Sequence, residues 1–211
     1  MSETTRASFT EDLVNESGAA ERNPYAQTSG NYKFLRLGFS FCQARIKVQE
    51  ASNQRNAVLR LRSLQMSERL EMVRALSWHQ RYVLRERAKQ LLQMLKQTSE
   101  GSVLRDKISY EISRYKTKSD QLLSARHRGV HEYESHHPLL RQLDTLELLS
   151  GDAVKDRNFA AVMEMQRSQV ARRASKTLAL ELKNEEMTLL QLTDAAFETI
   201  YGLSEHWSFA D

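Results

Sequence analysis

LRLRSLQMSERLEMVRALSWHQRYVLRERAKQLLQML, residues 59–95, is the stretch whose reading decides the fold. Apolar side chains recur at Leu59, Met66, Leu70, Val73, Leu84, Ala88, Leu91 and Leu95. The 36 residues from Leu59 to Leu95 divide into ten steps of three or four, a period of 3.6. That is one face of an α-helix, not the alternation of a strand. No glycine or proline interrupts residues 43–97, so the pattern predicts one long amphipathic helix over about 43–98. Ser99-Glu100-Gly101 closes it, with Gly101 in the position that ends helices.

The same reading extends toward the C-terminus. Ser102 is a candidate cap for a second helix over 103–135, striped by Leu104, Ile108, Ile112, Tyr115 and Leu122. Pro138 suits the first turn of a short helix over 139–149, whose six leucines make it apolar on most sides and predict burial. Gly151 and Asp152 then stop one helix and cap the next, over 153–203. Its stripe runs through Met163, Val170, Ala174, Leu178, Leu182, Leu189, Leu192, Ala196, Ile200 and Leu203, again close to 3.6. A two-stranded coiled coil would need 3.5, and the first stripe passes through Ser77 and Gln80. The expectation is therefore all-α: an elongated antiparallel three-helix bundle, or long helical hairpins, over residues 31–207.

Ahead of that lies a different composition. Residues 1–30 hold five acids and two bases, with no apolar period, and read as a disordered acidic tail. They lack the basic start and apolar run of a signal peptide. Between Tyr32 and Cys42, aromatic and leucine side chains interleave with small or basic ones. This segment reads as packing on the bundle or beginning the first helix, or else as an aromatic anchor for a partner or membrane surface. Cys42 is the only cysteine, which excludes an intrachain disulfide and a cysteine-based zinc site and points to a reducing compartment. An intracellular, cytoplasmic or cytoskeletal location is expected.

Chemistry is sparse. No phosphate-cradling glycine loop, nucleophile elbow, HExxH or calcium loop is present, so no enzyme activity and no cofactor are expected. His127 and His131 share a helical face with His136, His137, Glu132 and Glu134 nearby, a spacing able to ligate zinc. A solvated helix end before Pro138 explains them more simply, and no metal is expected.

Charge is the informative feature. Net charge is +4, yet residues 31–98 alone carry 14 bases and 4 acids. Arginine outnumbers lysine 21 to 10, and its planar fork suits carboxylates and phosphates. Arg74, Arg81, Arg85, Arg87 and Lys89 are read as a basic partner-binding surface, extended by Arg126, Arg128, Arg172 and Arg173 if the later helices pair antiparallel. The competing reading is a solvated face partly neutralised by Glu181, Glu185, Glu186 and Glu198. Acidic or helical protein surfaces are the expected partners, with a homo-dimer or an anionic membrane as alternatives. Nucleic acid is disfavoured, because aromatics do not interleave with the bases and the last helix is acidic.

In length and helix count the outline resembles BAR domains, which dimerise and bend membranes. It also resembles the helical hairpins of secretion stalks and cytoskeletal adaptors. No motif is shared with either. The expected function is a non-enzymatic structural or adaptor protein that binds other proteins through its helices in a larger assembly; the alternative is a BAR-like dimer on anionic membranes.

Overall fold

The computed structural model describes residues 30–98, 102–131, 137–149 and 157–203. All the regular structure among them is helical: α1 (Gly30–Gln49), α2 (Ala51–Leu59), α3 (Met66–Thr98), α4 (Ser102–His131), α5 (Pro138–Leu149) and α6 (Arg157–Tyr201). The all-α bundle expected from periodicity is the fold. The acidic tail up to residue 29, the turns at Gly101 and Gly151, and the side chains of His127 and His131 lie outside the described residues.

The first expected helix ends at Thr98 as expected and needs correction at its start and in its interior. Helix begins at Gly30, not near Gln43, and the run to Thr98 is broken twice, at Glu50 and over residues 60–65. No glycine or proline causes the second break. Instead, carboxylates and a guanidinium satisfy the backbone groups that a break exposes. Arg69 donates from Nε to the Leu64 carbonyl at 2.9 Å and from Nη1 to the Leu59 carbonyl at 3.1 Å. The Gln65 N–H donates to Glu68 Oε2 at 2.8 Å, the backward half of a capping box. The Met66 N–H donates to Glu147 Oε1 at 3.0 Å, and the Ser67 hydroxyl also bonds that carboxylate. A negative group at the positive end of α3 is further favoured by the helix dipole.

The chain forms two compact units, with both α3 and α6 contributing to each. In the first, a core is built from Phe41, Ala44 and Val48 of α1, Leu84, Ala88, Leu91, Leu92 and Leu95 of α3, Ile108 and Tyr115 of α4, and Leu189, Ala196 and Ile200 of α6. Four helices supply it, because α1, whose second half the sequence reading merged into one long first helix, adds a wall of its own. The Phe41 and Phe197 rings meet at 4.9 Å, tilted by 39°. Tyr115 and Thr193 share a buried hydroxyl hydrogen bond of 3.2 Å, and burial pushes the Tyr115 phenol up to about 12.

In the second unit, Leu70 and Val73 of α3, Leu140 and Leu143 of α5, and Ala174, Leu178 and Leu182 of α6 close a smaller core. Burying a leucine fully stabilises by about 1.5–3 kcal/mol, so the leucines of α5 hold that short helix in place. Yet α5 is not buried all round as expected. Leu148 is 76% exposed and Leu149 is 55% exposed, because the inward side is filled by Leu140, Leu143, Leu146 and the capping Glu147.

Candidate interaction surface

None of the arginines and lysines on α3 is exposed: two are buried and the rest half-buried. Arg81 and Arg85 are buried, although both were expected on a partner-facing surface. Arg85 bonds Glu86 and reaches Asp120 on α4. Arg74 is half-buried against Glu71 at 3.1 Å, Arg87 bonds Gln90 at 2.9 Å, and Lys89 stands 3.8 Å from Glu86. Earlier in the chain, Arg55 is buried against Glu186, whose Oε1 also accepts a 2.6 Å hydrogen bond from Ser77. Ser77 was an oddity in an otherwise apolar stripe, and this carboxylate explains it. Reversing Arg81 and Arg85 to Glu would therefore disturb folding.

The side chains of Arg126 and Arg128 lie outside the described residues. Arg172 and Arg173 belong to the second unit. Of the nine residues read as a basic surface, Arg172 and Arg173 are the two among the described residues that are exposed.

Those two arginines sit in a pattern that the sequence reading passed over. Most inward-facing positions of α6 are the expected ones: Met163, Ala174, Leu178, Leu182, Leu189, Ala196 and Ile200 are buried, and Val170, Leu192 and Leu203 are half-buried. Opposite them, Val162, Met165, Gln169, Arg172, Arg173, Lys176, Leu180, Lys183 and Met187 are all exposed. At 100° per residue these nine fall within an arc of roughly 100° on the helix surface. No acid lies in that arc: Glu164, Glu181, Glu185 and Glu186 project elsewhere. Among the described residues, neither Arg172, Arg173, Lys176 nor Lys183 has an ion-pair partner, while nearby Arg167 pairs with Glu164 at 2.8 Å. Leu180 is 61% exposed and Met165 55%. The signal was present in the sequence as a second 3.6-residue repeat, offset from the core stripe and mixed in character.

A second cationic face lies in the first unit. Along α1, Lys33, Arg36, Gln43 and Lys47 are exposed together with Phe39 and Ile46, within roughly 140° of arc. The helix contains no acid, and Arg45, its remaining base, is turned inward to Asp194 at 3.0 Å.

His137 pairs with Glu181 at 3.3 Å. Among the described residues no group of three or more His, Cys, Asp or Glu side chains is gathered closely enough to hold a metal ion, and no helix is long and apolar enough to cross a membrane. Cys42 is half-buried, with burial pushing its thiol up and Arg45 opposing this more weakly. No protein-family model matches the chain, and no curated protein or solved structure matches it either.

Proposed function

We propose that the chain is a structural or adaptor protein that joins a larger assembly through the solvent faces of its helices, with α6 as the principal docking element. The observation that carries this is the acid-free face from Val162 to Met187. Four large apolar side chains and four cations lie exposed there, and among the described residues no carboxylate pairs with those cations. Scattered exposed apolar residues are ordinary on any surface. A helix face that sets them in register with unpaired charge is a recognition pattern. The reducing compartment read from the single cysteine is where such an assembly would form.

The test uses substitutions that cannot disturb a core. Met165→Asp with Leu180→Asp replaces two exposed side chains. In native extract the wild-type chain should fractionate well above its 24.4 kDa mass, and the double variant should fall to the mass of the free chain with its helical content unchanged. Equal fractionation of the two would remove α6 as the docking element.

A second reading, attachment to an anionic membrane surface, is favoured by α1. Basic side chains flanking exposed Phe39 and Ile46 suit a negatively charged headgroup layer. Pelleting with phosphatidylserine vesicles should then weaken with salt and with Lys33→Glu, Arg36→Glu and Lys47→Glu together. No pelleting at low salt would remove this reading.

A further inference from the structure

We infer that the partner of the α6 face is an acidic amphipathic helix from another protein. This rests on the docking role given to α6 above and adds the chemistry of what docks.

The order of residues along the face narrows the occupant. Val162 and Met165 stand at one end, Leu180 and Met187 at the other, and Arg172, Arg173 and Lys176 between them. The face is roughly 37 Å long at 1.5 Å per residue. Apolar anchors at both ends with a cationic centre call for a rod of matching pitch: apolar knobs at its ends, carboxylates at its middle. A helix laid alongside α6 meets that requirement, because both repeat every three to four residues.

A second copy of this chain does not. Two α6 helices paired antiparallel by a two-fold axis through the centre of the face set Val162 against Met187, which packs well. They also set Arg172 and Arg173 against Lys176 of the other copy, and like charges facing each other oppose pairing. A bilayer fits less well too. Surface-lying helices carry a continuous apolar band with cations along its flanks, whereas here the cations interrupt the band.

Among the described residues, the carboxylates of α6 next to this face and those packed against it in the second unit are engaged elsewhere, which leaves the four cations for charge from a partner. Glu186 holds Arg55 and Ser77, Glu147 caps α3, Glu181 meets His137, and Glu164 holds Arg167.

The test uses the full chain and synthetic helical peptides of roughly 25 residues, the length that spans the face. One carries leucines at the terminal turns and Glu at the central contact positions; its counterparts carry Gln or Lys there. Fluorescence anisotropy at low and at physiological salt reads binding. The Glu peptide should bind, weaken with salt, and exceed the Gln peptide by about tenfold or more. In Arg172→Glu, Arg173→Glu, Lys176→Glu and Lys183→Glu combined, preference should invert to the Lys peptide, with helical content unchanged. Equal binding of the Glu and Gln peptides would overturn the inference, as would no inversion in the variant. So would binding of phosphatidylserine vesicles through these four cations without peptide binding, or salt-sensitive self-association through them in sedimentation. If Met165→Asp with Leu180→Asp disperses the native assembly while the Glu peptide fails to bind, the adaptor reading stands and the acidic helix is removed.

Discussion

The cations of α3 and those of α6 look alike in the sequence and do opposite things in the fold. Arg81 and Arg85 of α3 are buried, Arg74 and Lys89 face carboxylates, and Arg87 bonds Gln90. Arg172, Arg173, Lys176 and Lys183 of α6 stand in solvent without an ion-pair partner. The α3 group is denser and was the natural choice for a partner surface. Density is a poor guide, because a charge held by the chain's own carboxylate has already lost its water and found its partner. What recognition needs is charge that folding leaves unsatisfied at the surface, and the sparser group supplies it.

The largest effect should come from the buried side of this contrast. Glu186→Ala strips Arg55 and Ser77 of their shared acceptor. Breaking a buried pair from one side costs about 3–5 kcal/mol, to be read in urea denaturation. A loss below about 1 kcal/mol would place Arg55 with the solvated cations. Arg85→Glu sets a third carboxylate against Glu86 and Asp120 and should cost about 3 kcal/mol.

Alkaline titration sharpens the picture of that interior. Tyr115, buried beside Thr193, titrates at about 12 against an ordinary value of 10.0. The folded chain thus keeps this proton when the unfolded chain releases it. Stability is fully present below pH 10 and is lost as pH rises from 10 toward 12, by about 2–3 kcal/mol. Tyr115→Phe should flatten that decline. Because Arg85 pulls the phenol down, a milder Arg85→Met should move its titration higher still, as read by tyrosinate absorbance.

Smaller effects follow. Glu147→Ala removes the long-range cap of α3 and should cost about 1–2 kcal/mol, with faster amide exchange at Met66 and Ser67. Arg172→Glu with Arg173→Glu should change stability by no more than about 0.5 kcal/mol. A larger loss would mean that these arginines support the fold.

How far the sequence could be read depends on where each signal comes from. The α6 core stripe was largely legible because burial repeats with the helix period: seven of its ten positions are buried and Val170, Leu192 and Leu203 are half-buried, while buried Glu186 and Thr193 fell outside it. The stripe of α3 was equally clear from Leu84 to Leu95, and its polar members Ser77 and Gln80 proved to be buried as the period required. Its break over residues 60–65 was not legible, because the capping carboxylate of Glu147 lies 80 residues away from Ser67. α1 was hidden by its composition. Phe34 to Phe41 looks nearly alternating, while the burial of Leu35, Phe41, Ala44 and Val48 follows helical steps that Gly30 and Gly38 obscured. Leucine content alone misjudged α5, since Leu148 and Leu149 occupy positions with no neighbouring helix to cover them. For the interaction surface, residue type nominated the arginines and only burial could sort them.

Alkylation of an engineered thiol on α6 tests the central claim most directly. In a Cys42→Ala background, Leu180→Cys places a thiol within the exposed arc, and Ser168→Cys places one that is exposed but outside it. Both should react rapidly in the isolated chain. In the native assembly Leu180→Cys should be strongly protected while Ser168→Cys keeps its rate; equal rates at residue 180 in the two states would contradict the account.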